Sequence, residues 1–300
     1  MLAALQKTWQ LRLPKNRSLN LGGVPRVMGI VNITPDSFSD GGRFFDPTQA
    51  VEHGLRLVEE GAEILDLGAE STRPGGGVYG AGADEVDVEE ELRRLLPVLS
   101  DLRAKTDAIL SVDTRKGAVA RAALAAGADL INDVGGLADP DLAPAVAEAG
   151  CPLVLMHSRG NLRTMQREVS FTDVVAEVRD ELADLVDQAV DAGIDPGQLI
   201  VDPGIGFGKT VQQNLRLIGE LNRLAKDLPV LLGASRKSFI AGTLSQAGGE
   251  KVPPDQRLGG SLAAVAAAFS SAAVVRVHDV AETVQFIRVL AAISDPDAVH

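Results

Sequence analysis

Three short segments, Ile109-Leu-Ser-Val-Asp-Thr114, Leu130-Ile-Asn-Asp-Val134 and Pro152-Leu-Val-Leu-Met-His157, share one design. Each is a near-continuous apolar run that ends in polar residues and leads into a helix-like stretch. Strands buried on both faces read this way, whereas strands with one wet face alternate. Outward from this stretch the same unit recurs at Val27–Ile33, Ile64–Ala69, Leu199–Pro203, Val230–Ser235 and Val274–His278, giving eight candidate strands. Amphipathic stretches lie between them, including Pro47–Glu60, Asp84–Lys105, Thr172–Ala192 and Ala281–Ile293. Eight evenly spaced β–α units predict a TIM (β/α)8 barrel, ahead of a doubly wound open sheet. Without a Pro/Gly/Ser linker to split the chain, a single domain is expected over residues 25–295, with 1–24 as a lead-in.

The 300 residues carry 29 basic and 41 acidic side chains, a net charge of −12, which disfavours nucleic acid and anionic membranes as partners. At 45% apolar and 23% charged, the composition is that of a globular chain. The single cysteine, Cys151, cannot form an intrachain disulfide and suits a reducing cytoplasm. There is no stretch that reads as a signal peptide or a membrane span. Zinc-protease and Cys-x-x-Cys spacings are missing, as is the Gly-x-Ser-x-Gly elbow of serine hydrolases.

Barrel enzymes place chemistry at the C-terminal ends of their strands. Here those ends carry Asn32, Asp66 with Glu70, Asp113, Asn132 with Asp133, His157, Asp202, Ser235, and Arg276 with His278. Asp66, Glu70, Asp133 and Asp279 are read as helix caps or loop ties. Asp113, Asn132 and Asp202 are read as a convergent acceptor set for a flat heterocycle with several N–H donors. Lys237, Arg276 and His278 sit where such barrels bind phosphate, and Arg236 is read as a rim salt bridge. The run Asp202-Pro-Gly-Ile-Gly-Phe-Gly-Lys209 fails both the Walker and the dinucleotide spacing. It is read as a loop whose glycines admit a ligand beside Phe207. The loops Thr34–Asp46 and Ser71–Gly82 follow the first two strands at the same end, and Gly242–Gln256 is read as a loop after the seventh.

Several longer runs then resemble one family. Met28-Gly-Ile-Val-Asn-Ile-Thr-Pro-Asp-Ser-Phe-Ser-Asp-Gly-Gly42 and Asp66-Leu-Gly-Ala-Glu-Ser-Thr-Arg-Pro-Gly75 are similar to the two signatures of dihydropteroate synthases. Ser111–Thr114, Ile131–Val134, Met156-His157, Asp202–Lys209, Ser235–Ser238 and Arg276–Asp279 follow in family order, without departure at a motif position. The resemblance implies a transferase of folate biosynthesis that joins 6-hydroxymethyl-7,8-dihydropterin diphosphate to p-aminobenzoate, with Mg2+, as a cytoplasmic homodimer and sulfonamide target. It implies that Asp113, Asn132, Met156, Asp202 and Lys237 bind the pterin and that Asn32, Arg276 and His278 hold the diphosphate. Asn32 would also meet the metal. Phe38, Thr72, Arg73, Pro74, Phe207 and Ser235 would shape the p-aminobenzoate pocket, and Asp113, Asp40 and Lys237 would act in catalysis. A methyltetrahydrofolate methyltransferase domain shares the pterin-binding Asp and Asn pattern, but a methyl transfer has no diphosphate to hold. A pterin-binding paralogue without turnover is the other alternative.

Overall fold

The computed structural model describes residues 5–34, 46–71, 86–160, 170–225, 227–245 and 252–298. Eight parallel strands form one sheet: β3 (Arg26–Asn32), β4 (Ile64–Gly68), β5 (Ile109–Asp113), β6 (Leu130–Asp133), β7 (Leu153–Met156), β8 (Leu199–Asp202), β9 (Leu231–Leu232) and β10 (Val274–Val277). Neighbours run in chain order from β3 to β8, and β10 pairs with both β3 and β9. A single parallel bridge, Val201 to Val230, closes the ring between β8 and β9. This is the expected (β/α)8 barrel. The seventh strand is shorter than the run Val230–Ser235 suggested, because the chain leaves the ladder at Gly233 and turns at Ser235-Arg236, where Arg236 has φ 57°.

The helices are α1 (Pro47–Glu59), α2 (Val88–Lys105), α3 (Gly117–Ala125), α4 (Leu142–Ala149), α5 (Val174–Asp191), α6 (Val211–Gly219), α7 (Ser238–Leu244), α8 (Leu258–Ala268) and α9 (Val280–Ser294). Four of their starts, those of α1, α2, α5 and α6, are set by side chains that accept orphan N–H groups. Asp46 accepts from Thr48, Asp87 from Glu90 and Asp173 from Val175, while Thr210 and Gln213 form a reciprocal box. The loop expected from Gly242 instead begins as the last turn of α7. No helix among the described residues is long and apolar enough to cross a membrane.

Period-two order hides inside the apolar runs. Leu65, Leu67, Leu110, Val112, Ile131, Leu153, Leu155, Val201 and Val275 pack outward among the buried residues of the helices. Met28, Ile64, Leu130, Val154, Ile200, Leu231 and Val274 alternate with them and pack inside the barrel. That inner layer meets an element the sequence reading left as a lead-in. β1 (Leu5–Leu13) and β2 (Arg17–Gly23) form an antiparallel hairpin whose Leu11, Leu13, Leu19 and Leu21 join the barrel's inner cluster. Its turn places Lys15 and Asn16 at φ 61° and 57°. Gln198 fastens it to the barrel by exchanging two 2.8 Å bonds with the Arg12 backbone, and buried Asp129 accepts from both Arg17 and Arg103. The hairpin plugs the N-terminal end of the barrel interior.

Candidate active site

The inward parity that buries Ile64, Leu130, Ile200 and Val274 carries on toward the C-terminal end of each strand. It therefore directs Asp66, Ser111, Asp113, Asn132, Met156, Asp202 and Arg276 into the barrel. Register places Asp113 beside Asn132 and Met156 beside Asp202.

Asp66 is fully buried. Its Oδ1 accepts from Ser111 Oγ at 2.5 Å, and its Oδ2 accepts from Asn132 Nδ2 at 3.0 Å and Arg276 Nε at 2.5 Å. The reading of Asp66 as a cap or loop tie is overturned: it is the centre of an interior network. Arg276 continues that network, donating through Nη2 to Asp113 Oδ2 at 2.9 Å. The guanidinium expected for an anion thus also spans two buried carboxylates.

Two acceptors are left over. Asp113 Oδ1 and Asn132 Oδ1 are buried and have no hydrogen-bond partner among the described residues. Burial pushes the Asp113 carboxyl up to about 7, against the pull of Arg276 and with a further push from Asp66. Across the barrel, Asp202 Oδ1 accepts the Gly204 N–H at 2.7 Å, and burial raises this carboxyl too, opposed by Lys237. Beside the carboxylates stands a small apolar wall of Val134, Met156 and Phe207. The Lys237 ammonium lies 4.3 Å from the centre of the Phe207 ring and donates to the Ile205 carbonyl, while burial lowers it to about 8.

At the rim, Ser235 Oγ lies 3.1 Å from His278 Nδ1 and accepts the His278 N–H at 3.2 Å. Burial, with Arg276 and Arg236 nearby, pushes His278 down to about 4, so its imidazole is neutral at pH 7. Arg276 is therefore the fixed positive charge of that pair. Asn32 is exposed at the end of β3. Arg236 pairs with Asp279 as the sequence suggested, and Asp133 ties its turn through the Gly135 and Leu137 N–H groups. Glu70 accepts from Val86 N and from Arg115 and Lys116. Phe38, Asp40, Thr72, Arg73 and Pro74 lie outside the described residues. No group of three His, Cys, Asp or Glu among the described residues could hold a metal by itself.

Sequence reasoning gave no role to the pair that fixes the 202–209 loop. Buried Lys209 donates to the Gly204 and Phe207 carbonyls at 3.0 and 2.9 Å and to His157 Nδ1 at 3.0 Å. The Glu181 carboxylate only accepts, so neutral His157 donates to it from Nε2 at 2.9 Å and leaves Nδ1 to accept from Lys209. Burial and Lys209 push His157 down to about 4, and burial brings Lys209 down to about 7. Gly204 is required at its position: at φ 63° an added Cβ would lie 1.9 Å from the His157 carbonyl oxygen. The only hint in sequence was a lysine closing a glycine-rich run.

Comparison with known proteins agrees with this geometry. The profile of the pterin binding enzyme family matches residues 28–278. Dihydropteroate synthase of Mycobacterium leprae is 49% identical over 273 residues, covering 89% of this chain and 93% of that protein. The chain belongs to the dihydropteroate synthase family. Among solved members, the Xanthomonas albilineans dihydropteroate synthase with 4-aminobenzoic acid superposes with a TM-score of 0.85 at 47% identity, covering 98% of this chain and all of that one. The Burkholderia cenocepacia dihydropteroate synthase complexed with 7,8-dihydropteroate superposes at 0.83 with 40% identity, covering 96% and 98%. Dihydropteroate synthases are transferases of folate biosynthesis, and this barrel has their fold along nearly its whole length.

Proposed function

We propose that the barrel mouth joins 6-hydroxymethyl-7,8-dihydropterin diphosphate to p-aminobenzoate, giving 7,8-dihydropteroate and pyrophosphate. The observation that carries this reading is the pair of buried acceptors without a partner among the described residues, Asp113 Oδ1 and Asn132 Oδ1, on strands that share the barrel mouth with Asp202 and an apolar wall. A buried acceptor without a donor costs about 1–3 kcal/mol, and a pterin edge bearing an amino group and ring N–H groups supplies the donors. Met156 and Phe207 offer the flat ring an apolar surface, and Lys237 closes it from the side.

Arg276 and His278 would hold the diphosphate, with Ser235 orienting the imidazole. Arg276 supplies charge, and neutral His278 supplies a hydrogen bond. As the diphosphate departs, positive charge would spread into the pterin, and the Asp113 carboxylate would stabilise that charge. An arylamine is a weak nucleophile, so ionisation before attack is the favoured order. Phe38, Thr72, Arg73 and Pro74 would complete the p-aminobenzoate pocket with Phe207 and Ser235, and sulfonamides would compete there.

A magnesium ion fits the donor set at the mouth: the exposed Asn32 amide oxygen is a hard ligand, and Mg2+ ordinarily binds through few protein ligands plus substrate phosphate oxygens. Asn32, with Asp40 in support, would hold it, and the bound ion would neutralise charge on the leaving diphosphate. A homodimer is supported by Val289 and Ile293, which are exposed apolar residues on one face of α9. A cytoplasmic location is supported by the lone thiol Cys151, buried and pushed up to about 12 by that burial.

The test is an assay of pyrophosphate release with dihydropterin diphosphate and p-aminobenzoate. Release that requires both substrates and Mg2+ is expected. Tight pterin binding without release would mark a non-catalytic pterin-binding protein instead.

A further inference from the structure

An amide side chain is ambiguous as a recognition group, because it can turn either its oxygen or its NH2 toward a ligand. In this barrel one contact removes the ambiguity for Asn132. Carboxylate oxygens only accept, so the 3.0 Å contact with Asp66 Oδ2 must be made by Asn132 Nδ2, which leaves Oδ1 facing away as the unpartnered acceptor. The same Oδ2 receives Arg276 Nε, and Ser111 fills Oδ1, so Asp66 has little freedom to turn. Arg276 is in turn held against Asp113 Oδ2, so that Asp113 Oδ1 is the oxygen left without a partner among the described residues.

We propose that Asp66 is a positioning residue for specificity: without touching the ligand, it locks Asn132 and, through Arg276, Asp113 so that both present acceptors, making the pocket select ring edges rich in donors. This inference rests on the pterin reading of the mouth. It is distinct from the roles given to the contacting residues, because Asp66 acts through them.

The decisive experiment exchanges the two side chains in the full chain and titrates pterin by calorimetry. Asp66→Asn alone frees the Asn132 amide to turn, and pterin affinity should fall about tenfold or more. Asn132→Asp alone sets two carboxylates face to face and should fall at least as far. In the double exchange D66N/N132D, the amide at 66 keeps its oxygen on Ser111 and donates to one oxygen of the carboxylate at 132, which also takes Arg276 Nε in place of the lost Asp66 acceptor, so that the second oxygen is again left for the pocket. Affinity should then recover at least about tenfold over the product of the single losses. Double-variant losses that simply multiply would overturn the proposal, since a scaffold role predicts no rescue. If the single variants do not fold, the unaltered protein still decides. The Asn132 side-chain NH2 protons should resist solvent exchange both with and without pterin, and free exchange would overturn the lock. Failure of the unaltered protein to bind pterin would strike the functional reading itself, a result separable from failure of the rescue.

Discussion

The two ends of this barrel are built from the same strands and do opposite things. At the N-terminal end, Met28, Ile64, Leu130, Val154 and Ile200 meet Leu11, Leu13, Leu19 and Leu21 of the hairpin in one dry cluster. The polar groups around it are matched: Gln198 is satisfied by Arg12, and Asp129 by Arg17 and Arg103. A few residues further along the strands, the interior turns to carboxylates, an amide and a guanidinium, and two of its acceptors have no partner among the described residues. The difference teaches where stability has been given up. Unpaired buried acceptors are costly wherever they occur, so the adjacent pair Asp113 Oδ1 and Asn132 Oδ1 marks a surface that a ligand would complete. The plugged end supplies the packing that makes such a mouth tolerable.

Breaking the polar end at Arg276 should have the largest effect. Arg276→Ala leaves Asp66 and Asp113 facing each other without their shared cation, and it also removes the charge proposed to hold the diphosphate. Turnover measured by pyrophosphate release should fall by about a hundred- to a thousandfold, as when a charge-stabilising donor is lost. Near-normal turnover would show that the anion is held elsewhere. At the opposite end, Leu11→Ala should leave a cavity and reduce stability by about 2–5 kcal/mol in chemical denaturation. Pterin affinity of the remaining folded protein should be unchanged. A parallel loss of affinity would mean that the two ends are coupled.

Asp202→Asn is a finer cut at the mouth. It preserves shape but replaces one acceptor oxygen with a donor, and pterin affinity should fall about ten- to a hundredfold for roughly 1–3 kcal/mol. Retained affinity in a well-folded variant would reduce Asp202 to the residue that caps the Gly204 turn. The smallest effect is in pH. With Asp113 pushed up to about 7, acidification from pH 8 to 6 puts a proton on a group required as an acceptor. Pterin affinity should therefore weaken by up to about tenfold over that range, and Asp113→Asn should flatten the dependence. The stability sign is opposite to that of a salt-bridged aspartate. Because the folded value lies above the usual carboxylate range, the Asp113 contribution is fully present at acid pH below the unfolded value and is lost as pH rises through about 7.

The order of the strands, their buried character and the mouth as the place of chemistry were legible in the sequence, because each follows from neighbours along the chain. Continuous apolar runs require burial on both faces, and polar residues at their ends face the opening. The acceptors Asp113, Asn132 and Asp202 were visible for the same reason. The tertiary structure alone decided what they are bonded to. Arg276 reaches Asp66 across 210 positions and Asp113 across 163, and no local pattern encodes such partners. It also turned the lead-in into a plug, because a hairpin with one apolar face is defined by the surface it covers. Lys209 and His157, 52 positions apart, took up opposite ends of one hydrogen bond only when burial removed water as the competitor for both. Sequence fixes which groups can donate and accept; closure of the barrel decides which are paired and which are left for a ligand.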